Sequence, residues 1–295
     1  MIAPADMPPS FQYAQPRQLA EAFGILDSYG PDASLLAGGT DLVVGLRKGR
    51  IAPRMIIDLK HIGGLARGID EKAGRVRVSA STRLSDIIAD RRIHLHFPAL
   101  ADAARTVGSV QIRNRATLTG NICNASPAAD TAPALLAYGA RVMLVSSRGS
   151  RLLPFDEFLL GPRRTSLAAD EIAASVELSI PDAPTGSHFA RLTRRRGVDL
   201  ATISLCCTVG AQVTRFGYGA VGPKPFAVTD ASGILADPDS DPDARLEILR
   251  DFVALATPIS DLRGSREYRQ AMLLILSQRA LRTAIARRDQ MQDRT

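Results

Sequence analysis

At 295 residues with 45% hydrophobic side chains, the chain has material for two or three compact units, each with its own core, and a single small module is excluded. No run of about 18 apolar residues occurs, so no membrane span is expected. The net charge of +7 fits an anionic cofactor, an acidic partner chain or nucleic acid; with no Trp and only Phe189 near the short arginine cluster at 194–196, a base-stacking surface is not expected.

The first ten residues, MIAPADMPPS, lack the basic and apolar regions of a secretory leader, and a cytoplasmic chain with a short N-terminal arm is expected. A short strand at 11–13 precedes a helix over 16–28, where Leu19, Ala22, Phe23 and Leu26 share one face. A buried strand at 34–37 runs into Gly38 and Gly39, after which Thr40 and Asp41 lead a short capped helix carrying Leu42, Val43, Val44 and Leu46. Backbone N–H groups at such a turn can seat a pyrophosphate without a lysine, and the same arrangement also serves as an ordinary strand-to-helix turn. Arg47, Lys48 and Arg50 are expected on a solvated face. The strand at 55–59 pairs with 34–37 and closes a unit near residue 60.

A second unit starts with a strand at 75–80, a helix capped by Thr82 and another opened by Pro98. His94 and His96 lack an acid or thiol at ligand spacing and are not expected to hold a metal. Residues 117–130, TLTGNICNASPAAD, combine glycine, hydroxyl, amide, proline and acid in a segment too polar and broken for a core element, suited to a loop around a polar ligand. A helix over 131–138 follows Asp130, then strands at 141–146 and 172–180, the last alternating from Ile172 to Ile180. Residues 181–187 form a linker.

In the third unit, strands at 200–209 and 213–221 form a hairpin around Gly210 and Ala211, followed by helices over 243–255 and 265–288. Gly217, Gly219 and Gly222 match G-x-G-x-x-G, but Pro223 and Pro225 prevent the helix that a dinucleotide fingerprint must open. Cys206 and Cys207 are expected to be buried small hydrophobes, and with Cys123 alone besides them no iron–sulfur cluster or structural zinc is expected.

Five segments in order, AGGTDL at 37–42, GSVQIRN at 108–114, TLTGNICNASPAAD at 117–130, RRRGVDLA at 194–201 and DLRGSREYR at 261–269, resemble the FAD-binding (medium) subunit of the molybdenum hydroxylases, the xanthine dehydrogenase and carbon monoxide dehydrogenase group. The resemblance implies an α+β protein: a two-subdomain FAD-binding fold of the vanillyl-alcohol oxidase (PCMH) type, 1–60 and 61–182, plus a C-terminal α/β domain, 186–290. It implies FAD contacts at Leu36, Ala37, Gly38, Gly39, Thr40, Asp41, Leu42, Val107, Gly108, Thr117, Gly120, Asn121, Asn124, Asp130, Ile172 and Arg191, with Asp130 on the adenosine ribose or a nearby hydroxyl. It also implies two partners, a large subunit with the molybdenum cofactor and a small one with [2Fe–2S] clusters, from which electrons pass through FAD to NAD+, a quinone or oxygen. No acid, base or nucleophile of this chain is expected to be catalytic. The sequence departs from the family at Thr119-Gly120, where two glycines are usual, so a Cβ and a hydroxyl fall close to the expected diphosphate path. A shorter hairpin near Gly210 is a second departure, and the lack of a cysteine-rich insertion argues against the 4-hydroxybenzoyl-CoA reductase variant. The rival expectations are a stand-alone FAD-dependent oxidoreductase with its own substrate and a flavin-free scaffold.

Overall fold

The computed structural model describes residues 10–293, so the expected N-terminal arm lies, apart from Ser10, outside the described residues. Strand β1 (Gln12–Ala14), helix α1 (Leu19–Tyr29), β2 (Ala33–Leu36), α2 (Leu42–Arg47) and β3 (Met55–Asp58) build a three-stranded parallel sheet of order β1-β3-β2. Parallel strands need crossovers, and α1 and α2 supply them. Ala22 and Leu26 of α1 bury against Met55 and Ile57. This core continues past residue 60 through Ile62, Leu65, Ala80, Ile172 and Ala174. Asp41 precedes α2 without capping it, because its own backbone is already helical and its side chain is engaged elsewhere.

Next come β4 (Ile69–Lys72), β5 (Arg75–Ser79), α3 (Leu84–Ala89), α4 (Arg91–His96), α5 (Pro98–Thr106), α6 (Val110–Arg113), α7 (Leu118–Cys123) and α8 (Thr131–Ala137), then β6 (Arg141–Ser146), β7 (Gly149–Pro154), α9 (Phe155–Phe158), β8 (Leu159–Gly161), β9 (Arg164–Thr165) and β10 (Ile172–Ser179). Five of these strands form an antiparallel sheet of order β4-β5-β10-β6-β7. Thr82 does not cap α3; its hydroxyl donates to the Gly68 carbonyl at 2.7 Å, and at the start of the helix Arg83 N donates to Asp86 Oδ2 at 3.0 Å. The clean alternation expected along β10 is broken by a bulge between Ala173 and Ser175. Ile172 and Ala174 consequently enter the first core, whereas Ala173, Val176 and Leu178 enter the second. His94 and His96 lie on α4, where His94 Nε2 is 2.7 Å from the Ile88 carbonyl.

The third unit is an antiparallel sheet of order β11-β12-β13-β14, from β11 (Gly186–Leu192), β12 (Ile203–Val209), β13 (Thr214–Gly219) and β14 (Phe226–Asp230), with α10 (Pro242–Ala254) and α11 (Arg266–Gln292). The expected linker at 181–187 is therefore two residues too long: Gly186 already pairs with Val209, and it must be glycine because a Cβ would meet Arg288 N at 2.5 Å on α11. Phe189 and Cys206 pack into the core of the second unit, whereas Cys207, Leu205 and Leu281 belong to the third. The rejected glycine fingerprint is β13 and its turn. A Cβ on Gly217 would strike the Pro133 carbonyl, so glycine there lets α8 lie on the strand. No helix among the described residues is long and apolar enough to cross a membrane.

Candidate cofactor site

The segment expected to be a loop at 117–130 begins as a helix. Thr117 has extended backbone and its hydroxyl accepts from Gly120 N at 3.0 Å, capping α7, while Leu118 and Ile122 are fully buried. The polar letters had hidden an apolar stripe of two residues. α7 runs toward α8, and Asn121 Oδ1 accepts from the Thr131 hydroxyl at 2.6 Å to join them.

Against α7 stands the glycine turn after β2. A Cβ on Gly38 would fall on the Arg115 carbonyl oxygen and come within 2.8 Å of Ala116 Cα, so the two backbones touch only because Gly38 has no side chain. Gly39 takes φ +78° to turn the chain into α2. Asn124 Nδ2 donates to Asp41 Oδ1 at 3.2 Å and closes the contact from the other end. Two turns far apart in sequence thus form one polar seam.

The seam floors a cavity of about 1040 Å³. Ala37, Gly38, Gly39, Thr40, Asp41, Leu42, Val107, Gly108, Thr117, Gly120, Asn121, Asn124 and Asp130 line it. Leu36, Ile172 and Arg191 stand behind the wall: Leu36 packs its side chain beneath Gly39, Ile172 is fully buried in the first core, and Arg191 backs Asp130. Thr119, expected close to the diphosphate path, lines the cavity, and sequence reasoning missed Arg50, Arg163, Arg195, Val198, Asp199 and Leu200 as lining residues. For 195–200 a signal existed in RRRGVDLA, which lies on this wall; Arg163 carried none, because the turn between β8 and β9 reaches the cavity only through the tertiary fold.

Burial pushes the Asp130 carboxyl up to about 7, against the pull of the Arg191 guanidinium and the Thr106 hydroxyl. Arg191 Nε lies 3.1 Å from Asp130 Oδ1, yet the approach is Coulombic: neither atom forms a directed hydrogen bond, which leaves Asp130 free to accept one from a ligand. Arg191 also donates from Nη1 to the Thr106 carbonyl at 3.2 Å and from Nη2 to the Asp199 carbonyl. Asp41 is likewise raised by desolvation, with Arg163 opposing. Burial pushes the Cys123 thiol up to about 12, so this wall residue is a neutral apolar surface and no nucleophile.

The residues present fit a dinucleotide-like cofactor. A glycine seam that any Cβ would fill, buried hydroxyl and carboxylate oxygens without directed partners, and three arginines suit a long anionic ligand with hydroxyls. The site therefore defines a cofactor-binding protein. Residues 9–182 match the FAD binding domain in molybdopterin dehydrogenase, and residues 188–284 match the CO dehydrogenase flavoprotein C-terminal domain. The carbon monoxide dehydrogenase medium chain of Hydrogenophaga pseudoflava is 31% identical over 95% of this chain and 99% of that one. The xanthine dehydrogenase FAD-binding subunit of Escherichia coli O157:H7 is 30% identical, over 93% of this chain and 96% of its own. The solved carbon monoxide dehydrogenase from H. pseudoflava superposes with a TM-score of 0.87 at 31% identity, covering 95% of this chain and 99% of that one. Quinoline 2-oxidoreductase from Pseudomonas putida 86 gives 0.86 at 27%, covering 95% and 98%. The chain belongs to the family of FAD-binding medium subunits of molybdenum hydroxylases, and it is an oxidoreductase component whose cofactor is FAD.

Proposed function

We propose that this chain is the electron-relaying flavoprotein of a cytoplasmic complex with a molybdenum-bearing large subunit and a [2Fe–2S] small subunit, and that its cavity holds FAD with the diphosphate over the seam between Gly38 and residues 115–120. The observation that carries the reading is the backbone contact at Gly38, which brings the glycine turn before α2 and the chain leading into α7 to one place. When bound, the flavin supplies the capacity to take electrons from the small subunit and pass them to NAD+, a quinone or oxygen. The protein's own work is positional. Asp130 accepts from a ribose hydroxyl, Arg191 holds that carboxylate in place from behind, and Val198 and Leu200 shield the ligand from water. Several relatives are named medium chains or medium subunits, which supports two further partners.

The test is purification of the full chain, alone and co-expressed with the neighbouring reading frames. The expected outcome is a yellow protein absorbing near about 450 nm that co-purifies with molybdenum and iron. A colourless folded chain that refuses added FAD would overturn the site. Turnover of a substrate by the lone chain would instead favour an independent oxidoreductase.

A further inference from the structure

Among the hydroxyls around the seam, Thr119 is the exception. Thr117 Oγ1 accepts from Gly120 N at 3.0 Å, and Thr131 Oγ1 donates to Asn121 at 2.6 Å. Thr119 is 4% exposed and lines the cavity, yet its Oγ1 has no hydrogen-bond partner and no contact with solvent. The carbonyl three residues back, Ala116 O, accepts from Leu84 N at 2.9 Å. In the first turn of α7, Leu118 N donates to Thr82 O and Gly120 N to Thr117, leaving the Thr119 N–H uncommitted. A buried hydroxyl with no partner is unfavourable, and native chains rarely keep one without a use. A turn of about 120° about Cα–Cβ would carry the hydroxyl to the place the methyl holds, and the methyl to that of Hβ, with no backbone movement.

We propose that Thr119 is a further ligand of the diphosphate, its hydroxyl rotating onto the cavity side to donate a hydrogen bond to a phosphoryl oxygen of FAD. The inference rests on the FAD reading above and adds a side-chain donor to a seat otherwise made of backbone. Its neighbours favour a phosphoryl oxygen over the ring system, because Thr119 lies three residues beyond Ala116, which with Arg115 stands against Gly38. Thr119→Val keeps the shape and removes the donor, whereas Thr119→Ser keeps the donor.

The experiment measures FAD dissociation from the full chain by flavin fluorescence and records the 31P spectrum of the bound cofactor. Expected for Thr119→Val is about ten- to a hundredfold weaker binding, the worth of one hydrogen bond to a charged acceptor, with a shifted diphosphate resonance. Thr119→Ser should stay within about threefold of the parent. Parent-like affinity and an unchanged 31P spectrum in Thr119→Val would overturn the role of Thr119 while leaving the FAD site standing; a parent protein that binds no FAD would overturn the site itself. If Thr119→Val fails to fold, Thr119→Gly against Thr119→Ser decides: equal losses in both overturn the proposal, and loss in the glycine variant alone supports it.

Discussion

Gly38 illustrates how much one missing side chain controls. Because a Cβ there collides with backbone at Arg115 and Ala116, which cannot swing aside, even Gly38→Ala must push the two turns apart. We expect it to lower FAD content and to destabilise the fold by about 1–3 kcal/mol, the usual cost of overpacking. Denaturant melts with flavin absorbance check both effects; unchanged values in both would mean the seam is softer than it looks. A glycine turn shows its backbone freedom in sequence but not what lies against it. Asp130 carries a pH prediction. Its carboxyl sits near about 7 in the folded chain against about 3.9 when unfolded, so the folded state binds more protons between those values. Stability of the FAD-free protein should therefore be fullest below about pH 4 with respect to this group and decline as pH rises to about 7. Melting temperature against pH for the parent and Asp130→Asn tests this, the decline being shallower in the variant.

At the scale of elements, the loop after β11 owes its place to a residue on the strand. Residues 194–199 brace one another, with Arg194 Nη2 3.0 Å from Asp199 Oδ1 and Arg195 Nη2 donating to the Val198 carbonyl at 2.9 Å, but Arg191 ties this turn to Asp130 and to the end of α5. Arg191→Met should remove the charge that opposes burial at Asp130, raise its carboxyl further and keep it protonated at neutral pH. It should also release the loop, so trypsin cleavage within 194–196 quickens. Unaltered cleavage would show that the loop holds itself. The arginine cluster and its segment were visible in the sequence, as were the three sheets' main strands and the long α11 with Ser265 as its cap. What escaped was non-local. The bulge in β10 redirects Ala173 without leaving a breaker residue, and the partner of β11 lies beyond the 194–201 loop. A polar stretch concealed α7 because a helix of six residues needs only Leu118 and Ile122 to anchor it.

For the whole molecule, neighbours on β12 have a consequence for how the protein comes apart. Cys206 faces one interior and Cys207 the other, so a single strand is the party wall between two cores. Neither side can melt while its neighbour keeps that wall intact, and the two thiols, both raised by burial, should surrender to an alkylating reagent at the same denaturant concentration. Staggered labelling would reveal that the rooms can be vacated separately. Shared masonry of this kind makes the carboxy-terminal unit less a detachable appendage than the back of the chamber proposed for the cofactor.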